Sequence, residues 1–361
     1  FYKNKKVLIT GHSGFKGSWL SFWLKNIGAD VYGYSLYPET KNNLFEILNI
    51  EKIVKGKLEN ILDYNLFSTF FNEVEPEIVF HLAAQPLVKK SYLEPSLTYQ
   101  TNIMGTVNLF ECIRNSKTVK QVIIVTSDKC YENKETNYAY QESDAMGGYD
   151  PYSASKGCVE LITSSYRNSF FNLNDFGKKH NVSIASVRAG NVIGGGDWAL
   201  DRLIPDCVEN IIKNKEIILR NPKSIRPWQH VLEPLSGYLN ICQKLSENPI
   251  KYSGGWNFGP DNKETKIVEE LVNLIIKKWE KGSYKVEISN LHEANLLSLD
   301  VKKANDILKW KSAYDFDETI DKTVEWYKSF YENNTNMIDL TLKQINNYIN
   351  KAKNLNIDWS I

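Results

Sequence analysis

Residues 7–17 read VLITGHSGFKG, an apolar strand that runs directly into three glycines spaced three residues apart. A helix-like segment beginning Ser18-Trp19-Leu20 follows at once. Glycines permit the tight turn between a strand and a helix, and they let the backbone approach a pyrophosphate closely. The amides and the dipole at the start of the helix would then favour the phosphates. The stretch predicts a dinucleotide-binding strand–turn–helix unit, and a plain turn before a buried helix is the alternative.

The rest of the first half alternates short apolar runs with longer helical patterns. The predicted strands are Val7–Thr10, Asp30–Ser35, Ile78–Ala83, Gln121–Thr126 and Ser183–Val187. The predicted helices are Phe15–Ile27, Tyr64–Asn72, Thr98–Asn115 and Pro151–Phe171. This alternation is typical of a parallel sheet covered by helices on both faces. We therefore expect an α/β fold, a Rossmann-type doubly wound parallel sheet.

After about residue 189 the pattern loosens into shorter elements with more prolines, and Gly194-Gly195-Gly196 marks a loop. We predict a nucleotide-binding Rossmann domain over 1–188, to which segments at about 230–258 return. A smaller carboxyl-terminal α/β substrate lobe is expected over 189–330. Residues 331–361 predict an appended helical tail because apolar side chains recur there at helical spacing.

Composition sets limits on the function. The chain has 361 residues and a net charge of +1, so it has no overall field to attract nucleic acid or a membrane surface. Its five cysteines are far apart in sequence, as is usual in a reducing compartment, and we expect a cytoplasmic protein. We found neither an apolar stretch approaching the ~18 residues of a membrane span nor a cluster with metal-ligand spacing. No membrane contact and no metal are expected.

Two residue clusters indicate proton chemistry on an alcohol. Thr126-Ser127-Asp128-Lys129 ends the fourth of the predicted strands listed above, and Tyr152 and Lys156 lie one helical turn apart near the start of a predicted helix. A nearby ammonium favours the phenolate, so it can lower a tyrosine pKa from its usual value of about 10. A serine hydroxyl at a neighbouring strand end would complete a site that removes a proton from an alcohol. The combination predicts an active site.

The sequence of the second strand does not distinguish NAD from NADP. It ends Val31-Tyr32-Gly33-Tyr34-Ser35, without the acid that usually bonds the ribose of NAD and without an arginine for a 2′-phosphate. Asn60 and Asp63 are candidates for the adenine side of a dinucleotide. A solvated loop is the alternative for Asp63.

Several blocks together resemble the nucleotide-sugar 4,6-dehydratases of the extended short-chain dehydrogenase/reductase superfamily. The likeness runs from about residue 6 to about residue 328. Its most specific blocks are GHSGFKGSWL (11–20), HLAAQPLV (81–88), TSDKCYEN (126–133), MGGYDPYS (146–153), RAGNVIGGGDW (188–198) and IRPWQH (225–230). The resemblance implies an enzyme that removes water from a nucleoside-diphosphate hexose while bound NAD borrows its hydride. A nucleotide-sugar 4-epimerase and a non-catalytic dinucleotide-binding protein are the alternatives.

The resemblance also implies roles for individual residues. Tyr152 would take the proton of the C4 hydroxyl, and Lys156 would tune it and hold the nicotinamide ribose. Ser127 would bond the C4 oxygen, and Asp128 would be the general acid for the departing C6 hydroxyl; a strand-end cap is the alternative for Asp128. The expected NAD contacts are Gly11, His12, Gly14, Phe15, Lys16, Gly17, Asn60, Asp63, Ala83, Ala84, Asn102, Tyr152 and Lys156.

Lys129 departs from the pattern of many relatives, which have a glutamate there as the base that removes the C5 proton. Lysine at this position matches the branch that acts on CDP-glucose. A neutral Lys129 could take the C5 proton, since a desolvated pocket and nearby positive charges lower a lysine pKa. The alternative is that Lys129 is an ion partner of Asp128.

The second lobe supplies candidates for the substrate diphosphate. It offers Arg188, Arg202, Arg220 and Arg226, whose guanidinium forks suit a diphosphate. The resemblance favours Asn191, Arg202 and Arg226 there, and Gln85 is a further predicted substrate-binding residue. Relatives commonly pair through the two long helices, here about 98–115 and 152–171, so we expect a homodimer or a dimer of dimers.

Overall fold

A computed structural model describes residues 1–260, 266–287, 297–333 and 335–360. Seven strands form one all-parallel sheet: β1 Lys6–Thr10, β2 Asp30–Ser35, β3 Lys55–Leu58, β4 Ile78–His81, β5 Gln121–Val125, β6 Ser183–Arg188 and β7 Gly254–Asn257. Their order across the sheet is β7-β6-β5-β4-β1-β2-β3. The strand order therefore reverses between β4 and β1. In doubly wound sheets, ligands bind beyond the carboxyl ends of the strands at this point.

The helices of ten or more residues in the described parts are α1 Phe15–Asn26, α2 Tyr64–Val74, α3 Gly105–Asn115, α4 Pro151–Ser169, α5 Leu203–Ile212, α6 Leu232–Glu247, α7 Val268–Trp279, α8 Phe316–Glu332 and α9 Met337–Asn354. Shorter helices are Leu44–Ile47, Ile50–Ile53, Val88–Leu93, Pro95–Tyr99, Pro249–Tyr252 and Lys302–Ile307, with 3₁₀ turns at Asp128–Cys130, Leu173–Asp175 and Asp358–Ser360. No helix in the described residues is long and apolar enough to cross a membrane.

The central strands are apolar along their whole length because both faces of the sheet are covered. Every residue of β5 is buried. Val122 and Ile124 face one core cluster, which also contains Phe67 of α2, Phe110 of α3 and Val159 of α4. Alternate strand residues point away from this cluster and are also fully buried, including Ile9, Phe80 and Ile123. The predicted Rossmann-type sheet is confirmed.

The predicted helix over Thr98–Asn115 is interrupted. The chain forms a short helix at Pro95–Tyr99, a π-helical turn at Gln100–Met104 and then α3. The π turn carries Asn102, whose side chain is fixed by hydrogen bonds to Gln85 and Ser155. Hydrophobic periodicity does not reveal one widened turn, because the apolar pattern continues on either side of it. Turns of this kind are frequent at functional sites.

The chain divides into two compact units. The first contains Phe1–Asn133, Glu142–Arg188 and Leu235–Asn257, and it holds the seven-stranded sheet. The second contains Lys134–Gln141, Ala189–Pro234 and Phe258–Ile361. The second unit has four small ladders in its described residues, which pair Ala139–Tyr140 with Ser298–Leu299, Val192–Ile193 with Gln229–His230, Ile217–Leu219 with Tyr284–Val286, and Ile225–Arg226 with Lys266–Ile267. The domain boundaries drawn from the sequence stay a prediction.

Candidate active site

The end of β5 turns sharply at Ser127. Its hydroxyl accepts a hydrogen bond from the Lys129 amide at 3.2 Å and donates one to Asp128 Oδ1 at 2.8 Å. Ser127 thereby caps the 3₁₀ turn Asp128–Cys130, so the capping role considered for Asp128 belongs to the serine. Asp128 is 4% exposed although it carries a carboxylate. Its position makes it available for proton transfer with a group that reaches Ser127.

Helix α4 begins beside this turn because its sequence fixes the start. The Asp150 carboxylate accepts hydrogen bonds from the Ser153 amide at 2.9 Å and the Ser153 hydroxyl at 2.6 Å, and Pro151 occupies the first turn. The helix packs closely on the 3₁₀ turn. A Cβ at Gly157 would lie 2.6 Å from the Gly147 carbonyl oxygen, so only glycine allows this approach. Tyr152 therefore lies in the first turn of the helix.

Lys156 is buried one turn after Tyr152, and its ammonium donates a hydrogen bond to the Val125 carbonyl at 3.2 Å. Burial lowers the Lys156 pKa to about 8, against the opposing effects of Cys130 and Glu160. The structure thus brings Ser127, Asp128, Lys129, Tyr152 and Lys156 into the same unit, at the end of β5 and the start of α4. Their catalytic roles stay predictions.

Lys129 is half-buried on the 3₁₀ turn. Among the described ion pairs none joins Lys129 to Asp128, whose Oδ1 accepts the Ser127 hydroxyl instead. The geometry therefore gives no support to the ion-partner alternative. Lys129 is adjacent to the acid in sequence but forms no ion pair with it among the described residues.

The glycine loop fits the pyrophosphate of a dinucleotide. A Cβ at Gly11 would lie 2.7 Å from the Ala83 nitrogen, and one at Gly17 would lie 2.0 Å from the Gly11 carbonyl oxygen. The loop is thus pressed against the strand β4 end at the point where the strand order reverses. No side chain caps the start of α1 at Gly14, so the amino end of a 12-residue helix is left to an anion. Phe15 and Lys16 form its first turn.

His12 is buried, with its ring against Gly33 of β2 and Gly56 of β3, and its contact with the cofactor stays a prediction. Its ring fills the space above two glycines, since a Cβ at Gly33 would lie 2.3 Å from its Cδ2 and one at Gly56 would lie 3.0 Å from its Nε2. Ser35 at the end of β2 bonds His12 Nδ1 at 2.9 Å. Burial lowers the His12 pKa to about 4, so the ring is neutral at pH 7. The sequence did not reveal that Gly33 and Gly56 make room for this ring.

The remaining predicted cofactor residues are placed as follows. Ala83 and Ala84 follow β4 and are half-buried. Asn60 is half-buried and accepts a hydrogen bond from the Leu62 amide, and Asp63 is exposed and caps α2 through the Leu66 amide. The solvated-loop alternative for Asp63 is therefore replaced by a helix cap, and its contact with adenine stays a prediction.

The side chain of Asn102 forms hydrogen bonds with the backbone of Gln85. Asn102 Oδ1 accepts the Gln85 amide at 2.7 Å, and its Nδ2 donates to Ser155 Oγ at 2.8 Å. The Gln85 side chain donates to Thr98 and to the Leu87 carbonyl, and it accepts the Leu87 amide. Both side chains are thus used inside the chain and support the loop after β4. The predicted substrate contact of Gln85 stays a prediction.

The predicted diphosphate residues lie in the second unit. Asn191 has a left-handed backbone, with φ of 49°, which asparagine tolerates better than most residues. Arg202 is partly exposed and pairs with Asp197 at 2.7 Å. Arg220 is exposed, and Arg226 is half-buried with one bond to the Ile225 carbonyl at 3.0 Å. Their binding roles stay predictions.

Arg188 differs from its prediction. It ends β6 in the first unit and is 4% exposed, and its guanidinium forms a two-pronged pair with Glu160, with Nε and Nη2 each 2.8 Å from a carboxylate oxygen. Arg188 was one of four arginines considered for the diphosphate and was not among those favoured; its side chain is committed to a buried carboxylate. Sequence reasoning missed Glu160, although its spacing of four from Lys156 was a signal.

Comparisons with known proteins identify the family. Residues 8–323 match the family described as GDP-mannose 4,6 dehydratase. A CDP-glucose 4,6-dehydratase of Salmonella typhimurium is 48% identical over 97% of this chain and 97% of its own length. A dTDP-glucose 4,6-dehydratase of Escherichia coli is 24% identical over 92% of this chain and 94% of its own length.

Solved structures extend the likeness of the fold. The UDP-glucose 4-epimerase of Thermotoga maritima superposes with a TM-score of 0.78 at 21% identity, over 90% of this chain and 99% of that one. The UDP-glucose 4-epimerase of Brucella ovis, in complex with NAD, gives a TM-score of 0.75 at 20% identity, over 89% and 97% of the two chains. At such identities the likeness shows the architecture alone.

Proposed function

The chain belongs to the GDP-mannose 4,6 dehydratase family, as its sequence blocks predicted, and from that membership we propose that it is an NAD-dependent hydro-lyase acting on CDP-glucose. The product would be CDP-4-keto-6-deoxyglucose, an intermediate suited to deoxysugar synthesis. The observation that carries the proposal is a buried acid, Asp128, next to Ser127 at the strand end that faces the Tyr152–Lys156 helix turn. The 48% identity to the Salmonella relative supports CDP-glucose as the substrate.

Each proton transfer of the proposed reaction is assigned to one residue. Tyr152 takes the proton from the C4 hydroxyl while Ser127 holds the C4 oxygen. The ketone that results acidifies the hydrogen on C5, and Lys129 removes it. Asp128 gives its proton to the C6 hydroxyl, which leaves as water. Asp128 is buried beside Ser127 at the strand end, which places its carboxyl group for this transfer.

NAD is the cofactor that the glycine loop fits, and when bound it would accept the hydride from C4 and return it to C6. Lys129 would give a proton back to C5 as the hydride returns, and the proton held by Tyr152 balances the one that Asp128 gave to the departing hydroxyl. Gly11, Gly14 and Gly17 would hold its pyrophosphate at the start of α1, and Lys156 would contact the nicotinamide ribose. A 4-epimerase on the same fold is less favoured, because it expels no C6 hydroxyl and needs no acid at Asp128. The solved epimerase structure shares the fold of this chain, but only 21% of the aligned residues are identical.

We also propose a homodimer, or a dimer of dimers, formed through the helices around residues 98–115 and 152–171. Large apolar side chains are exposed on these elements, including Tyr99 at 37%, Met104 at 47% and Leu161 at 61%. The free state of all five cysteines supports a cytoplasmic location. Light scattering on the parent and on Leu161→Glu tests the interface, since a buried charge would dissociate it.

A panel of nucleoside-diphosphate hexoses tests the function. With CDP-glucose and NAD we expect a product lighter by one water and no net build-up of NADH, because the hydride returns to the same sugar. NADH formed in proportion to substrate would point to a simple dehydrogenase. A product of unchanged mass would point to an epimerase, and either result would overturn the dehydratase assignment. Preference for another nucleotide base would overturn only the substrate.

A further inference from the structure

Helix α4 carries three ionisable side chains in a row. Tyr152, Lys156 and Glu160 follow each other at intervals of four residues, so they lie along one face of the helix. Glu160 is 6% exposed, and the proposed proton transfers do not use it. A buried carboxylate one turn beyond the lysine of the site needs an explanation.

The Glu160 carboxylate is saturated with hydrogen bonds. Oε1 accepts the Thr126 hydroxyl at 2.5 Å and Arg188 Nε at 2.8 Å. Oε2 accepts the Ser186 hydroxyl at 2.6 Å and Arg188 Nη2 at 2.8 Å. Four donors meet the roughly four lone-pair positions of a carboxylate. Burial alone would raise the Glu160 pKa, but Arg188, Ser186 and Thr126 lower it, so the group is ionised.

The Glu160–Arg188 ion pair is hydrogen-bonded to the residues on either side of the segment Ser127–Cys130, which carries the proposed acid Asp128. Thr126, bound to Glu160, immediately precedes Ser127. On the far side Arg188 Nη1 donates to the Tyr131 hydroxyl at 2.6 Å, and Tyr131 donates to Asn257 Oδ1 at 2.7 Å. The segment Ser127–Cys130 is thus held at both ends by one ion pair.

We propose that the Glu160–Arg188 pair is a positioning device for the proton transfers: the pair clamps the Ser127–Cys130 segment, and its Glu160 carboxylate, one helical turn beyond Lys156, helps to keep that side chain an ammonium. The second role follows from the groups that face Lys156. His81 is neutral because burial and the Lys156 charge lower its pKa to about 3, and burial raises the pKa of the Cys130 thiol well above its usual value. Two groups oppose the effect of burial on the Lys156 pKa, Cys130 and Glu160, and of these the Glu160 carboxylate is the one that carries a charge.

The direct test is the titration of Lys156 without any substrate, so it is independent of the proposed reaction. The protein is labelled with ¹³C at lysine Cε, and the Lys156 resonance is assigned with Lys156→Met. Glu160→Gln keeps the shape of the side chain but removes its charge. We expect the Lys156 pKa to fall by on the order of one pH unit, because the ammonium loses a buried anion one helical turn away.

The matched control is Ser186→Ala, which removes one hydrogen bond to the same carboxylate and keeps its charge. We expect this variant to leave the Lys156 pKa where it is in the parent. In turnover, Glu160→Gln should move the alkaline limb of the kcat/KM profile to lower pH by the same amount, and Ser186→Ala should not move it.

Glu160→Gln leaves the Arg188 charge buried without a partner, which is strongly destabilising in general. If it fails to fold, Glu160→Gln/Arg188→Met replaces the pair by neutral groups of similar volume, and the Lys156 pKa should still fall. A folded variant of either kind whose Lys156 pKa equals that of the parent would overturn the electrostatic role. An equal shift in Ser186→Ala would overturn it as well, since the effect would then come from packing.

Discussion

Glu160 on α4 and Glu233 at the start of α6 are both almost fully buried and both carboxylates are held by several hydrogen bonds, yet their pKa values move in opposite directions. Glu160 meets the fork of Arg188. Glu233 accepts the Ala313 and Tyr314 amides, at 3.0 and 2.7 Å, and the Tyr348 hydroxyl at 2.7 Å. Burial raises the Glu233 pKa to about 7 because these donors are neutral and the charge of Lys351 only partly offsets the desolvation.

The difference shows that hydrogen bonds alone do not keep a buried carboxylate ionised. A full opposite charge at contact distance does, as Arg188 shows for Glu160. We therefore expect substitutions around Glu160 and substitutions around Glu233 to affect different properties of the protein. The Glu160 region carries fixed charges beside the proposed catalytic residues, so changes there should alter turnover. The Glu233 region joins α6 to the tail helix α9 through Tyr348, so changes there should alter stability.

The largest effect should come from Lys129, beside the first of these regions. If Lys129 removes the C5 proton, Lys129→Met should lower elimination by ~10²–10⁴-fold while hydride transfer from C4 continues. The 4-keto hexose and reduced cofactor should then accumulate transiently on the enzyme. The measurement is exchange of the C5 hydrogen with deuterated solvent, together with rapid-quench analysis of the bound sugar.

Two variants serve as references for that experiment. Asp128→Asn should stop the reaction at a similar stage by removing the acid, whereas Tyr152→Phe should stop hydride transfer itself. All three should unfold at a urea concentration close to that of the parent, which separates this region from the Glu233 region. C5 exchange at the parent rate in Lys129→Met would mean that another group is the base.

The next effect in size is a pH-dependent loss of stability in the Glu233 region. The folded-state pKa of about 7 lies above the usual value of 4.5 for the unfolded chain. The folded state therefore holds the proton more tightly, so this stabilisation is complete below pH ~4.5 and is lost as pH rises through 7. The change amounts to about 3 kcal/mol. Glu233→Gln, which is neutral at every pH, should remove this part of the pH dependence.

The measurement is the free energy of unfolding of the parent and of Glu233→Gln in urea from pH 5 to pH 8. The difference between the two isolates Glu233 from the other titrating groups nearby, which are His230, Tyr314, Tyr348 and Lys351. A matched control is Tyr348→Phe, which should lower stability at every pH by removing one donor. Parallel curves for the parent and Glu233→Gln would show that the carboxyl group does not titrate in this range.

Features set by a short stretch of chain could be predicted from the sequence. The strand β2 was placed at its observed bounds, and α1 was predicted to begin at the observed Phe15, because an apolar run or a glycine turn specifies each locally. The fork between Glu160 and Arg188 joins residues 28 positions apart on different elements, so no local pattern contains it. The packing of the His12 ring against Gly33 and Gly56 also joins different elements, so no local pattern predicts it.

The smallest expected effect concerns His12, which extends the comparison to a buried base without a charged partner. Burial holds its pKa near 4, below the usual 6.5, so the ring adds no positive charge to the glycine loop at neutral pH. β2 also ends at Ser35, so no acid is present there to bond the ribose of NAD. We therefore expect weakly held cofactor: the purified protein should be partly empty, and added NAD should stimulate it.

The NAD dissociation constant of the empty protein should stay flat between pH 6 and pH 8 when measured by calorimetry, because His12 does not titrate in that range. Affinity that strengthens as pH falls through 6.5, and that loses this dependence in His12→Asn, would show a ring that gains its proton beside the phosphates. Full occupancy after dialysis would contradict the weak binding itself.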